Sequence, residues 1–132
     1  MSSFISEFFA KEIILGETLE TLSDILPVAH EDYINAISKN YECEGESVQA
    51  LAAQIEKNFE KKLMEISPEE QQAFYDFYNG AVDYTDENLY INFKKFSHMG
   101  WLYLFEKKGG KYYEFIIPAE LLTIFEDMLK RS

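Results

Sequence analysis

Apolar residues return every three or four positions through most of this chain, a spacing that predicts helices separated by short polar joints. Phe4, Ile5, Phe8, Phe9, Ile13 and Ile14 predict an amphipathic helix over 3–14, stopped at Gly16. Leu19, Leu22, Ile25 and Leu26 predict a short second helix ended by Pro27. Beyond it, Glu31 and Asp32 suit a first helical turn, where the macrodipole favours acids, and Tyr33, Ile34, Ile37 and Tyr41 continue that helix to about Asn40. Residues 42–46, Glu-Cys-Glu-Gly-Glu, lack any apolar period and are expected to form a loop.

The clearest helical period is Val48, Leu51, Ala52, Ile55, Phe59, Leu63 and Ile66, with Ser47 able to cap it and Glu56, Lys57, Glu60 and Lys61 on the opposite, wet face. Ser67-Pro68-Glu69-Glu70 has the form of a capping box with proline at the first helical position, so a new helix begins there and closes at Asn79-Gly80. Another is expected from Thr85 or Asp86 to near Gly100, burying Leu89, Phe93 and Phe96. Two aromatic runs, at about 101–106 and 112–117, flank Gly109-Gly110 and predict a β-hairpin, because both glycines tolerate positive φ. Pro118 then opens a last helix, buried through Leu121, Leu122, Phe125, Met128 and Leu129.

The pattern therefore predicts a mainly α, α+β chain in two modules, an acidic helical one at 1–66 and a second at 67–132, joined in one compact unit. Helix, helix, hairpin, helix across 68–130 resembles a winged-helix unit of three helices and one β-hairpin. That resemblance implies a wing tip at Lys107 to Lys111 and a recognition helix at about 86–98. Residues 18–65 faintly resemble the Rho N-terminal or SAP type of helix-loop-helix, with Asn40 to Gly45 at the loop.

Composition narrows the function. Of 132 residues, 47% are hydrophobic and 16% aromatic, enough for a packed core. Twenty-four acids face 12 bases, a net charge of −12, which disfavours broad binding to nucleic acid. The halves carry −8 and −4, and the clustered bases are Lys94, Lys95, Lys107, Lys108 and Lys111. No apolar run approaches the roughly 20 residues a membrane span needs, and the acidic N-terminus reads as no secretory signal. A single cysteine, Cys43, fits a reducing compartment, so a cytoplasmic location is expected.

Candidate chemistry is sparse. His30 and His98 lack metal-ligand spacing and are expected to serve the start and the end of helices. Glu42 and Glu44 beside Cys43 would raise a thiol pKa, opposite to what a nucleophile needs. Glycine at 45 is out of register for a calcium loop. No catalytic residue, metal site or cofactor is expected, and the chain is read as no enzyme. What stands out is a mixture of tyrosines and carboxylates: Tyr75, Asp76, Asp83, Tyr84, Asp86, Glu87 and Tyr90, joined by Glu42, Glu44 and Glu46, which an extended loop would point to one side. Such a surface suits a basic protein partner, with rings as anchors and acids for steering. The expected function is a non-catalytic binding or regulatory protein that could inhibit a nucleic-acid-handling factor by phosphate mimicry; small acidic inhibitors of phages and mobile elements are similar in size and charge. The alternative is a winged-helix DNA-binding regulator that uses its local lysines.

Overall fold

A computed structural model of the protein describes residues 13–83, 85–107 and 112–131. It is mainly helical with one small sheet, in the order β1 (Ile13–Leu15), α1 (Leu22–Ile25), a 3-10 turn (Leu26–Val28), α2 (Glu31–Asn40), α3 (Val48–Glu65), α4 (Pro68–Asn79), α5 (Asn88–His98), β2 (Tyr103–Lys107), β3 (Tyr112–Ile116) and α6 (Ala119–Arg131).

The strongest sequence signals became the best-formed elements. Ser47 Oγ accepts from the Ala50 amide at 3.1 Å and starts α3, whose Leu51, Ile55, Phe59 and Leu63 are buried. Ser67 Oγ accepts from the Glu70 amide while a Glu70 carboxylate oxygen accepts from the Ser67 amide, so the capping box closes from both sides. Gly80 ends α4 at φ 73°, the left-handed conformation glycine adopts without a Cβ penalty.

Three expectations need correction. The helix predicted over 3–14 lies outside the described residues up to 12, and its last part is strand: Ile13, Ile14 and Leu15 pair in parallel with Leu104, Phe105 and Glu106. The hairpin is thus part of a three-stranded sheet of order β1-β2-β3, with Tyr103 opposite Ile116 and Lys107 opposite Tyr112 in the antiparallel pair. Two β-branched residues beside a leucine satisfy either period, and β2's unpaired edge decided between them. Lastly, the second helix ends before Pro27 as expected but already at Ile25, and Pro27 sits inside the 3-10 turn that follows, where its fixed φ is tolerated.

One core runs through residues on both sides of position 67. Phe74 of α4 is fully buried among the rings of Phe59, Phe96, Trp101 and Phe125, at centroid distances of 5.1–5.8 Å, and three of the four meet it edge-on. Tyr103, Leu104 and Phe105 are buried at successive positions, so both faces of β2 are covered. Polar ties fix the periphery. Glu120 of α6 accepts from the Leu22 amide at 3.0 and 3.1 Å, and the Ala119 amide donates to the Glu20 carbonyl at 2.7 Å, which anchors α1 to the start of α6. Asn40 donates to the His98 carbonyl at 2.6 Å and Tyr41 to the Met99 carbonyl at 2.5 Å, which joins the end of α2 to the end of α5.

Candidate functional site

Residues 69–87 contain six acids and no base. The fold sets five of them along a trough between α4, the connecting loop and α5. Ala73, Phe77 and Leu89 make its apolar floor, and Asp76, Asp83, Asp86 and Asn92 its walls. The trough continues along α4 past Gln72 and Asn88 to Glu69 and Glu70.

Local hydrogen bonds, from backbone amides and from side chains, engage each of these carboxylates. Asp83 Oδ1 accepts from the Thr85 hydroxyl at 2.6 Å and the Thr85 amide at 2.9 Å, and these bonds hold its carboxyl below the ordinary range. Asp86 Oδ1 accepts from the Asn88 amide at 2.9 Å at the head of α5, and Asp76 Oδ1 accepts from Gln72 at 3.0 Å. Among the described residues, no hydrogen bond reaches Oδ2 of Asp76, Asp83 or Asp86. Each therefore has Oδ1 engaged and Oδ2 without a hydrogen bond among the described residues. At the far end Lys95 pairs with Glu70; the Lys95 hydrogen bond, then that from the Ser67 amide, hold the Glu70 carboxyl below its usual range.

The tyrosines do not join them. Tyr75 lies on the other flank of α4, half-buried in an apolar groove of about 330 Å³ with Leu63, Met64, Phe125, Met128 and Leu129. Tyr90 is half-buried under Lys94, whose Nζ is 5.7 Å from the ring centroid. Tyr84 lies outside the described residues, and Glu87 is exposed just ahead of α5. The mixed ring-and-acid surface is thus divided by α4 into an acidic side and an apolar side.

Glu42, Glu44 and Glu46 are exposed and do not line the trough. Their loop is not extended, because Glu42 has φ 53°, Gly45 has φ 82° and the Glu46 amide bonds back to the Cys43 carbonyl at 3.1 Å. A turning backbone removes the alternation that would aim three carboxylates one way. Cys43 is buried beneath, and burial, then Glu46 and Glu44, push its thiol up.

The lysines of α5 diverge. Lys95 faces α4 through Glu70, whereas Lys94 borders a polar cleft against α2 with Asp32, Asn35, Lys39 and His98. Lys107 closes β2, and Lys108 and Lys111 lie outside the described residues. His30 caps α2, its Nδ1 accepting from the Asp32 amide at 3.1 Å. The cleft, which brings a histidine and a carboxylate to one hollow, was missed by sequence reasoning. Its signal was the polar set Asp32, Asn35 and Lys39 opposite the Tyr33 and Ile37 stripe. Among the described residues, no three His, Cys, Asp or Glu side chains are grouped to hold a metal ion, and no helix is long and apolar enough to cross a membrane.

Comparison with known proteins adds no family to this geometry: no protein-family model matches the chain, and neither a curated protein nor a solved structure matches it significantly.

Proposed function

We propose that this chain is a non-catalytic, acidic binding protein that takes a basic segment of a protein partner into the trough between α4 and α5. The observation that carries the reading is the set Asp76, Asp83 and Asp86, which line one hollow with Ala73, Phe77 and Leu89, each with Oδ1 engaged and no hydrogen bond to Oδ2 among the described residues. Held carboxylates lose little entropy when they bind, and paired oxygens suit the donors of arginine or lysine. A net charge of −12 adds long-range steering toward cationic surfaces. Proteins that hold phosphates present such surfaces, so a nucleic-acid-handling factor inhibited by phosphate mimicry is the partner class we favour.

The test is a salt series of calorimetric titrations with an oligo-arginine peptide. The D76N/D83N/D86N triple variant keeps the Oδ1 acceptors and removes three charges. It should bind roughly tenfold more weakly or worse, with a shallower salt dependence. E42Q/E44Q/E46Q, with the same charge change away from the trough, should bind within about twofold of wild type. Equal losses in both triples would reduce the site to net charge and end the reading.

The order α4, α5, β2, β3, α6 favours a second reading, a winged-helix-like DNA-binding regulator. The divergence of Lys95 toward α4 and Lys94 toward α2 weighs against it. Mobility shifts of duplex DNA that weaken steeply with salt would favour it over the trough.

A further inference from the structure

The apolar groove on the other flank of α4 has no role in the trough, yet it is a hollow of about 330 Å³ lined mostly by apolar side chains. Leu63 and Met64 come from α3, Tyr75 from α4, and Phe125, Met128 and Leu129 from α6. Met64 is 65% exposed and Leu129 37%, and both line this one groove. Two of the chain's four methionines line it, and flexible thioethers can mould themselves to an incoming apolar face.

From these features we infer that the groove is a docking site for the apolar face of an amphipathic, basic helix of a partner protein, which crosses α4 and sets its cationic side chains in the trough. The inference rests on the trough reading for the cationic half of the partner and on the groove for the apolar half. Gln72 borders both hollows, and the successive residues Tyr75 and Asp76 line one each, about 100° apart around α4. A helix with its side chains is about 10 Å across, so a crossing helix passes from one flank to the other within about two turns. Leucines or phenylalanines at i, i+3 and i+4 would then fall in the groove while lysines or arginines reach Asp76 and Asp86. Charge selects this occupant over a second copy of the chain: a chain of net −12 would bring its own acids against the six between 69 and 87.

The probe is a leucine/lysine peptide of about 18 residues with leucines at helical spacing, compared with a scrambled peptide of the same composition. Binding is read by fluorescence anisotropy, and contact by the shifts of the Met64 and Met128 methyl resonances. The patterned peptide should bind wild type at least tenfold more tightly than the scrambled one, and M64Q/L129Q, which changes no charge, should remove most of that advantage. Both methyl signals should move on binding in wild type.

A loss confined to M64Q/L129Q upholds the groove and sinks the trough reading, and a loss confined to D76N/D83N/D86N does the reverse. Circular dichroism on each variant separates lost binding from lost folding. Unmoved methyl signals, equal affinity for the scrambled peptide, or self-association in sedimentation that M64Q/L129Q abolishes would overturn the proposal.

Discussion

Two buried tyrosines show how a single atom's partner decides what a side chain contributes. Tyr33 donates its hydroxyl to the Leu102 carbonyl at 2.8 Å and stacks at a tilt 5.6 Å from the Tyr103 ring. Tyr103 is wholly buried, and its hydroxyl has no hydrogen-bond partner among the described residues. An unmade bond leaves the desolvation of a hydroxyl uncompensated. Tyr33→Phe should therefore lower stability by about 1 kcal/mol, whereas Tyr103→Phe should be neutral or raise it by up to about 1 kcal/mol. Urea unfolding of the two variants checks this, and a larger loss for Tyr103→Phe would show that its hydroxyl is satisfied. A close approach explains Gly100 in the same terms. Its φ is +78°, and a Cβ there would meet Ile55 Cδ1 at 2.6 Å and Ile37 Cγ2 at 3.4 Å, so position 100 is closed to side chains by both backbone and packing.

Of the helices, α4 carries the most consequence, because its start is fixed by chemistry and its two flanks face different hollows. Ser67→Ala should cost about 1 kcal/mol by deleting the cap. The Glu70 half of the box is sensitive to pH, with Lys95 and the Ser67 amide holding its carboxyl below the unfolded value. A depressed acid contributes stability that is full above its unfolded pKa and is lost as pH falls through the folded one. Thermal melts should thus show E70Q below wild type at neutral pH, with the gap closing once the pH drops below about 4. A gap that persists in strong acid would mean that Glu70 acts through packing alone. The capping box could be read directly, since four adjacent residues make it. Strand β1 could not, because Ile13-Ile14-Leu15 becomes a strand only through Leu104, Phe105 and Glu106 some 90 positions away.

For the whole molecule, the contiguous core makes a further demand. Phe59 of the N-terminal half packs edge-on to Trp101 at 5.2 Å, and the Ala119 amide is bonded to the Glu20 carbonyl. Unfolding should be one transition, with Trp101 fluorescence and far-ultraviolet circular dichroism superimposing across a denaturant series. An earlier step in either signal would reveal two independently folding halves.

Local signals in the chain determined α2 through α6, the Ser47 and Ser67 caps, the loop at 42–46 and the burial of Phe59, Phe74 and Phe125. Those features depend on spacing, capping and turn chemistry within a few residues. Acid content was equally plain, but its arrangement was not. Only the packing of α4 between α3, α5 and α6 put Asp76, Asp83 and Asp86 on one flank and Tyr75 on the other, and only the turning backbone at Glu42 and Gly45 removed the second acidic face expected there. A helix pattern tells which residues share a face, whereas the neighbour that face meets, and the hollow left between them, exist only once distant segments have packed together.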